Sequence, residues 1–237
     1  MPDQPMAVAL VTGANRGIGL AVVRGLLERG YLTVLGSRDP ARGEAAAASL
    51  SAGPAGERVL PRRLDVTDPS SIERVASELA ERFGRLDVLV NNAAILYDTW
   101  QQATTADLDV VREAMETNLY GPWRMVQLLL PLLRASRHGR IVNVSSEAGS
   151  LSSMGAGTPA YAVSKAALNA LTRILAAELR GSHILVNAVC PGWVATDMGG
   201  PGGRPVAEGA ASVLWAVDLP DNGPSGGFYR DGRPLAW

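Results

Sequence analysis

Tyr161 and Lys165, in the string Tyr-Ala-Val-Ser-Lys, open a strongly helical stretch of the chain. Their four-residue spacing places both side chains on one helix face. A free phenol titrates near pH ~10 and is a poor base at neutral pH, but a neighbouring ammonium favours the phenolate. Each unit of lowering corresponds to about 1.4 kcal/mol of differential stabilisation. A tyrosine so placed is suited to give or take a proton during turnover. Upstream, Ile141-Val142-Asn143-Val144 runs out into Ser145-Ser146, and a serine hydroxyl there can hydrogen-bond a substrate carbonyl oxygen. Taken singly, such a Tyr/Lys pair is common on helix surfaces, and a loop serine usually caps or turns the chain. The three residues gain meaning from what positions them.

Short β-rich runs alternate with longer helical patterns along the chain, the signature of parallel βαβ units. Strands are expected over residues 6–12, 31–36, 58–64, 86–91, 140–145 and 184–189. Helices are expected over 17–29, 41–50, 70–83, 106–136 and 161–180, the fourth breaking or bending near Gly121-Pro122, where proline removes a backbone donor. Val8-Ala9-Leu10-Val11 and Asp87-Val88-Leu89-Val90 are apolar on both faces, as expected when helices cover both sides of a sheet. The fold class expected is α/β: a single-domain, doubly wound Rossmann fold, with a parallel seven-stranded sheet flanked by helices on both faces and ligands at the carboxyl ends of the strands. The Gly/Pro-rich segment 199–205 reads as a surface loop, because only 32 residues follow it, too few for a second core. One domain is therefore expected over 1–237. Ser146 falls at the carboxyl end of its strand, whereas His138 and His183 each precede a strand, which leaves serine-hydrolase chemistry without a base.

The first expected strand leads into Thr12-Gly13-Ala14-Asn15-Arg16-Gly17-Ile18-Gly19 and then directly into a helix. Glycines there let the backbone turn tightly and approach a pyrophosphate, and the helix N-terminus offers free N–H groups and partial positive charge. No Gly-Lys-Ser/Thr follows, which disfavours a nucleoside-triphosphate loop. The second strand ends Leu35-Gly36-Ser37-Arg38-Asp39, where an NAD binder carries an acid for the ribose 2′-hydroxyl. Arg38, with Arg16 in the glycine turn, suits a 2′-phosphate instead, so NADP(H) is the expected cofactor.

Hydrophobic residues make up 47% of the 237 and charged residues 19%, enough to bury a core and too apolar for a disordered chain. A net charge of −1 gives no attraction to phosphate backbones, so no nucleic-acid partner is expected. Cys190 is the only cysteine, which excludes an intrachain disulfide and a cysteine-held zinc and fits a reducing compartment. No metal site is expected. The apolar run 6–11 is too short for a signal peptide and lacks a basic lead, and no stretch approaches the ~20 residues needed to span a bilayer. A soluble, cytoplasmic protein is expected, with no membrane partner.

Taken together, TGANRGIG (12–19), LDV (64–66), NNAA (91–94), Asn118 in TNLYG, IVNVSS (141–146), YAVSK (161–165) and PGWVATDM (191–198) resemble the short-chain dehydrogenase/reductase family over nearly the whole chain. Asn-Asn-Ala-Ala departs from the commoner Asn-Asn-Ala-Gly. The resemblance implies that Tyr161 is the general acid in carbonyl reduction or the base in reverse. It implies that Ser146 polarises the carbonyl oxygen, that Lys165 holds the nicotinamide ribose and lowers the Tyr161 pKa, and that Asn118 positions a water in a relay to Lys165. The choice of Ser146 over Ser145 also comes from the resemblance. It further implies that Gly13, Asn15, Arg16, Gly17, Ile18 and Gly19 cradle the pyrophosphate side, with Ser37 and Arg38 at the 2′-phosphate. Asp65 and Val66 border the adenine, Asn91 and Ala93 the adenosine ribose region, and Pro191, Gly192, Val194 and Thr196 the nicotinamide and phosphates.

Within the family, the sequence is most similar to NADPH-dependent carbonyl reductases, although the long insertion that some monomeric members carry between Ser146 and Tyr161 is absent. A homodimer or homotetramer is therefore expected. The short 199–205 segment implies an open substrate site bordered by some of Leu96, Leu151, Met154, Trp193 and Met198, suited to an apolar ketone, aldehyde or quinone. Met and Trp at these positions are equally compatible with core. A non-catalytic NADP(H) sensor predicts loss of at least one of Asn118, Ser146, Tyr161 and Lys165. A nucleotide-sugar epimerase or dehydratase needs a sugar-binding region for which the tail after Gly199 has little room.

Overall fold

The computed structural model of the chain describes residues 6–50, 56–96 and 98–237. Among the described residues, eight strands form one sheet: β1 (Val8–Val11), β2 (Leu32–Ser37), β3 (Val59–Arg63), β4 (Val88–Asn91), β5 (Gly139–Val144), β6 (Ile184–Val189), β7 (Phe228–Arg230) and β8 (Arg233–Pro234). Their order is β3-β2-β1-β4-β5-β6-β7-β8, and all neighbours pair in parallel except β7 with β8. The chain winds outward from β1 to β3, then returns to place β4 on the other side of β1. That reversal opens a crevice at the carboxyl ends of β1 and β4, the ligand position of doubly wound sheets.

Period-two alternation divides β1 between two cores. Val8 and Leu10 face α3 (Pro69–Phe83), α5 (Gly121–Arg134) and α6 (Pro159–Glu178), with Ile72, Met125, Leu129 and Leu168 in that layer. Ala9 and Val11 face α1 (Gly17–Glu28), α2 (Pro40–Leu50) and α7 (Val206–Val217), with Val22, Leu26, Ala46 and Val213. At about 25 cal/mol per Å², each such fully buried aliphatic side chain contributes about 1.5–3 kcal/mol before conformational entropy is charged against it. The continuous apolar strands are thus what both helical layers require. Among the described residues, no helix is long and apolar enough to cross a membrane.

Several features differ from the sequence expectation. The sheet carries an eighth, antiparallel strand, because Asp231-Gly232 turns at φ +51° and +74° and closes a two-residue hairpin onto β7. Residues 106–136 run as α4 (Leu108–Met115), a π-helical turn at Glu116–Tyr120 and then α5, so the irregularity is a π-turn rather than a chain break. The irregularity ends at Gly121-Pro122, whose proline has no N–H to donate to the preceding turn. The fifth expected helix begins at Pro159, two residues before Tyr161. The 199–205 segment is a surface loop pinned by bridges between Val194 and Arg204 and between Thr196 and Gly200.

Candidate active site

The glycine turn is fitted against the loop that leaves β4. Gly13 has φ +60°, and a Cβ there would lie 2.9 Å from the Ala93 Cα, so both the conformation and the close approach demand glycine. At Gly19 a Cβ would meet the Asn92 Nδ2 at 2.5 Å. The Thr12 hydroxyl accepts from Asn92 N and Ala93 N, both at 3.0 Å, while Asn92 Nδ2 donates back to the Thr12 and Gly13 carbonyls at 2.9 and 3.1 Å. Thr12 and Asn92 therefore clamp the turn across the switch point, a role the sequence reading did not assign. Both lie inside quoted motifs, and two polar side chains flanking a glycine turn were the available signal.

The second strand ends with Ser37 buried and Arg38 exposed. The Ser37 hydroxyl is turned inward and donates to the Asp39 carbonyl at 2.7 Å, so it is Arg38 that the strand end presents outward. No hydrogen bond or ion pair joins the Arg38 guanidinium to another described residue. The Asp39 carboxylate accepts from Arg42 N at 3.2 Å and pairs with the Arg42 guanidinium at 3.4 Å, which commits it to the first turn of α2. Arg16 pairs with Asp197 from the loop after β6. Asp65 is oriented by Thr67, whose N–H and hydroxyl donate to its Oδ1 at 3.0 and 2.7 Å, and Val66 is buried against Gly121. Asn91 donates to Asn143 Oδ1 at 2.9 Å, while its own Oδ1 is buried with no donor among the described residues.

The structure brings Ser146, Tyr161 and Lys165 together at the carboxyl end of β5. It also supplies the physical choice between the two serines. Ser145 is buried and donates to Asn169 Oδ1 at 2.7 Å, whereas Ser146 faces the Tyr161 phenol and accepts from Ala148 N at 3.2 Å. Lys165 is 2% exposed, donates to the Val144 carbonyl at 2.8 Å, and places its Nζ 5.6 Å from the Tyr161 ring centroid. Burial lowers its pKa to about 8. It is also the only lysine among the 22 basic residues, a signal the sequence reading overlooked.

The expected lowering of the Tyr161 pKa is not what the site produces. Burial pushes the phenol up to about 12 against the opposing hydrogen bond from Ser146, and the ammonium is engaged at Val144. Desolvation outweighs the nearby charge, so the phenol stays protonated at neutral pH and is set as a donor. Asn118 is held by three side-chain hydrogen bonds. Its Oδ1 accepts from Ile95 N at 2.8 Å, and its Nδ2 donates to the Ile95 carbonyl and to Ser164 Oγ, both at 3.0 Å. Ser164 in turn donates to the Tyr161 carbonyl at 2.7 Å. The Asn118 side chain thus braces the loop after β4 against α6.

The loop after β6 completes the crevice. Gly192 has φ +79°, Val194 is buried, and Thr196 packs on the glycine turn, its Cγ2 3.3 Å from where a Gly17 Cβ would lie. Asn15 and Ile18 are half-buried in the opposing turn, and Pro191 is buried at the loop's root. Of the expected substrate-side residues, Leu96 is half-buried, while Leu151, Met154, Trp193 and Met198 are exposed rather than core. Trp193 is fixed by its indole N–H donating to the Gly199 carbonyl at 2.7 Å. A His/Asp pair does exist, His138 with Asp221 at 2.7 Å, but it lies at the amino end of β5. A six-residue strand, about 20 Å of rise, separates it from Ser146. It cannot serve as a base there.

The chain is similar to known proteins over nearly its whole length. The sequence profile for short chain dehydrogenases matches residues 7–204. (+)-Neomenthol dehydrogenase of Arabidopsis thaliana is 35% identical, with 97% of each chain covered, and carbonyl reductase [NADPH] 1 of Bos taurus is 36% identical, covering 97% of this chain and 98% of its own. Among solved structures, NADPH-bound carbonyl reductase from chicken fatty liver superposes with a TM-score of 0.87 at 32% identity, covering 99% of this chain and all of that one. The neomenthol dehydrogenase alignment spans 290 positions, more than the 237 residues here, so that relative carries segments without a counterpart in this chain.

Proposed function

The chain belongs to the short-chain dehydrogenase/reductase family, and from that premise we propose that it is an NADPH-dependent reductase of ketone and aldehyde carbonyls, reversible toward alcohol oxidation. The observation that carries this reading is the half-buried Tyr161, its phenol held against the Ser146 hydroxyl with Lys165 across its ring at the carboxyl end of the sheet.

The crevice fits the dinucleotide. Arg38 offers an uncommitted guanidinium for a 2′-phosphate, with Arg16 near the same loops, and the orphaned Asn91 Oδ1 is an acceptor suited to a ribose hydroxyl. Gly13, Gly17 and the N-terminus of α1 suit the pyrophosphate, Asp65 the adenine, and Lys165, with two N–H groups left beyond its bond to Val144, the nicotinamide ribose. When bound, NADPH supplies the hydride. Tyr161 then gives its proton to the carbonyl oxygen as negative charge develops there. The Ser146 hydroxyl donates to the same oxygen, and the Lys165 ammonium stabilises the charge left on the phenol. In the oxidative direction the same phenol takes the proton back from the alcohol.

The exposed apolar rim formed by Leu151, Met154, Trp193 and Met198 supports an apolar ketone, aldehyde or quinone as substrate. The reading is tested by following NADPH oxidation with acetophenone, benzaldehyde and menadione. Turnover with at least one supports it, whereas tight NADPH binding without turnover turns the reading to a sensor and absence of binding overturns it. We further read the protein as a cytoplasmic homodimer or homotetramer. The exposed Leu108, Trp123 and Ile174 on α4, α5 and α6 support association. Light scattering at micromolar concentration is expected to give a multiple of the 24.8 kDa chain mass, and a monomeric mass would refute the oligomer.

A further inference from the structure

The helix that carries Tyr161 lacks a cap of its own. Thr158, at its N-cap position, has φ +41° and its side chain bonds none of the first-turn N–H groups. That conformation is rare for a β-branched residue and unlike the extended backbone of an ordinary cap. Pro159 has no N–H to satisfy. The next two donors turn to a residue far away in sequence: Asp98 Oδ2 accepts from Ala160 N at 2.7 Å and from Tyr161 N at 3.4 Å. Asp98 lies in the loop that leaves β4 and is 1% exposed. Among the described residues no cation pairs with it, and its Oδ1 has no partner. An unpaired buried carboxylate is costly, so what holds it in place is the positive end of α6.

The same turn reaches the other helix of the site. Gln101 N donates to the Asp98 carbonyl at 3.1 Å, and Gln101 Oε1 accepts from Asp107 N at 3.1 Å, where Asp107 caps α4 through Asp109 N. Helix α4 leads through the π-helical turn to Asn118, which bonds Ser164 one turn into α6. Residues 98–101 therefore form a strap between the N-termini of the two helices that deliver Asn118 and Tyr161.

We propose that Asp98 is a positioning residue of the active site: by capping Ala160 and Tyr161 from outside the helix, it fixes the first turn of α6 and so sets the Tyr161 hydroxyl on Ser146. The proposal rests on the reading of Tyr161 as proton donor. The cap acts on the one turn whose displacement moves the reacting hydroxyl, and misplacement by about 1 Å can cost ~100-fold in rate.

The test is a double-mutant cycle with NADPH and whichever of acetophenone, benzaldehyde or menadione turns over best. Asp98→Ala is expected to lower kcat by roughly 10- to 100-fold with NADPH affinity unchanged. Asp98→Asn, which keeps an oxygen to accept the two N–H groups, is expected to recover most of that loss. In a Tyr161→Phe background, Asp98→Ala is expected to lower the residual rate no further, because the two residues act through one hydroxyl. An equal loss in both backgrounds, which a purely structural cap would give, overturns the proposal. So does an unchanged kcat in a variant that still melts cooperatively. Should Asp98→Ala not fold, Asp98→Glu, which shifts the acceptor by one methylene, carries the same cycle and the same two outcomes. If the wild type turns over and Tyr161→Phe does not, a null result at Asp98 defeats this inference alone. If Tyr161→Phe keeps the rate, the reading of Tyr161 fails and the inference falls with it.

Discussion

Tyr161→Phe is expected to lower kcat for carbonyl reduction by roughly 10²- to 10⁴-fold, the usual contribution of a positioned general acid, with NADPH affinity unchanged. The substitution removes only the hydroxyl. The ring stays packed in its half-buried position, Lys165 keeps its bond to the Val144 carbonyl, and Ser146 keeps its bond from Ala148 N. A loss confined to kcat marks an interaction made in the transition state and not in the ground state. The pH profile separates the two titrating groups. With the phenol at about 12, the general acid remains protonated throughout the neutral and mildly alkaline range. Lys165, lowered by burial to about 8, loses its charge first. Wild-type reduction is therefore expected to hold below pH 8 and to decline above it, as the ammonium that stabilises the emerging phenolate is deprotonated. Because Lys165 is the sole lysine, nitrogen-15 NMR of its Nζ assigns that limb without overlap. Turnover that survives Tyr161→Phe would mean that another group delivers the proton.

Most of the scaffold could be read from the chain because its physics is local. The strands β1 to β6 announce themselves through runs such as Val8-Ala9-Leu10-Val11, apolar on both faces, and their bounds shift by no more than two residues at either end in the structure. The glycine turn and the Tyr161/Lys165 pair were legible for the same reason, since each occupies a fixed offset from a strand end or along one helix face, whereas position alone does not separate Ser146 from Ser145. What escaped depends on partners distant in sequence or on elements too short to show a period. Strand β7 has three residues and β8 two, so neither displays alternation, although Asp231-Gly232 was an available hairpin signal. Helix α7 is apolar over most of its length, as befits a helix packed against both α1 and the sheet, and its uniformity hid the 3.6-residue pattern. Asp98 could not be found by inspecting residues next to α6, because its hydrogen bond to Ala160 spans 62 positions. The protonation preference of Tyr161 is not legible in the spacing, which reveals Lys165 but not the burial that outweighs it.

The Arg38→Asp variant is expected to reverse the dinucleotide preference, shifting the ratio of kcat/KM for NADPH over NADH by about three orders of magnitude. Two effects add. A charge-assisted bond from guanidinium to phosphate contributes about 1.5–3 kcal/mol, so its loss costs roughly 10- to 100-fold with NADPH. The new carboxylate then repels the 2′-phosphate while offering the ribose 2′-hydroxyl of NADH an acceptor at the end of β2. Asp39 does not already supply that acceptor, because its carboxylate is bound to Arg42 in the first turn of α2. Arg16 is expected to matter less. Its guanidinium is paired with Asp197, and both side chains are more than half exposed, so an exchange of partners costs under about 1 kcal/mol and gains correspondingly little. Arg16→Gln should therefore weaken NADPH by a smaller factor than Arg38→Asp and leave the preference on the NADPH side. Steady-state kinetics with both cofactors decide the matter. An unchanged ratio in Arg38→Asp would place the 2′-phosphate away from β2, whereas a larger loss in Arg16→Gln would mean that the Asp197 pair opens fully and that the glycine turn, not the strand end, selects the cofactor.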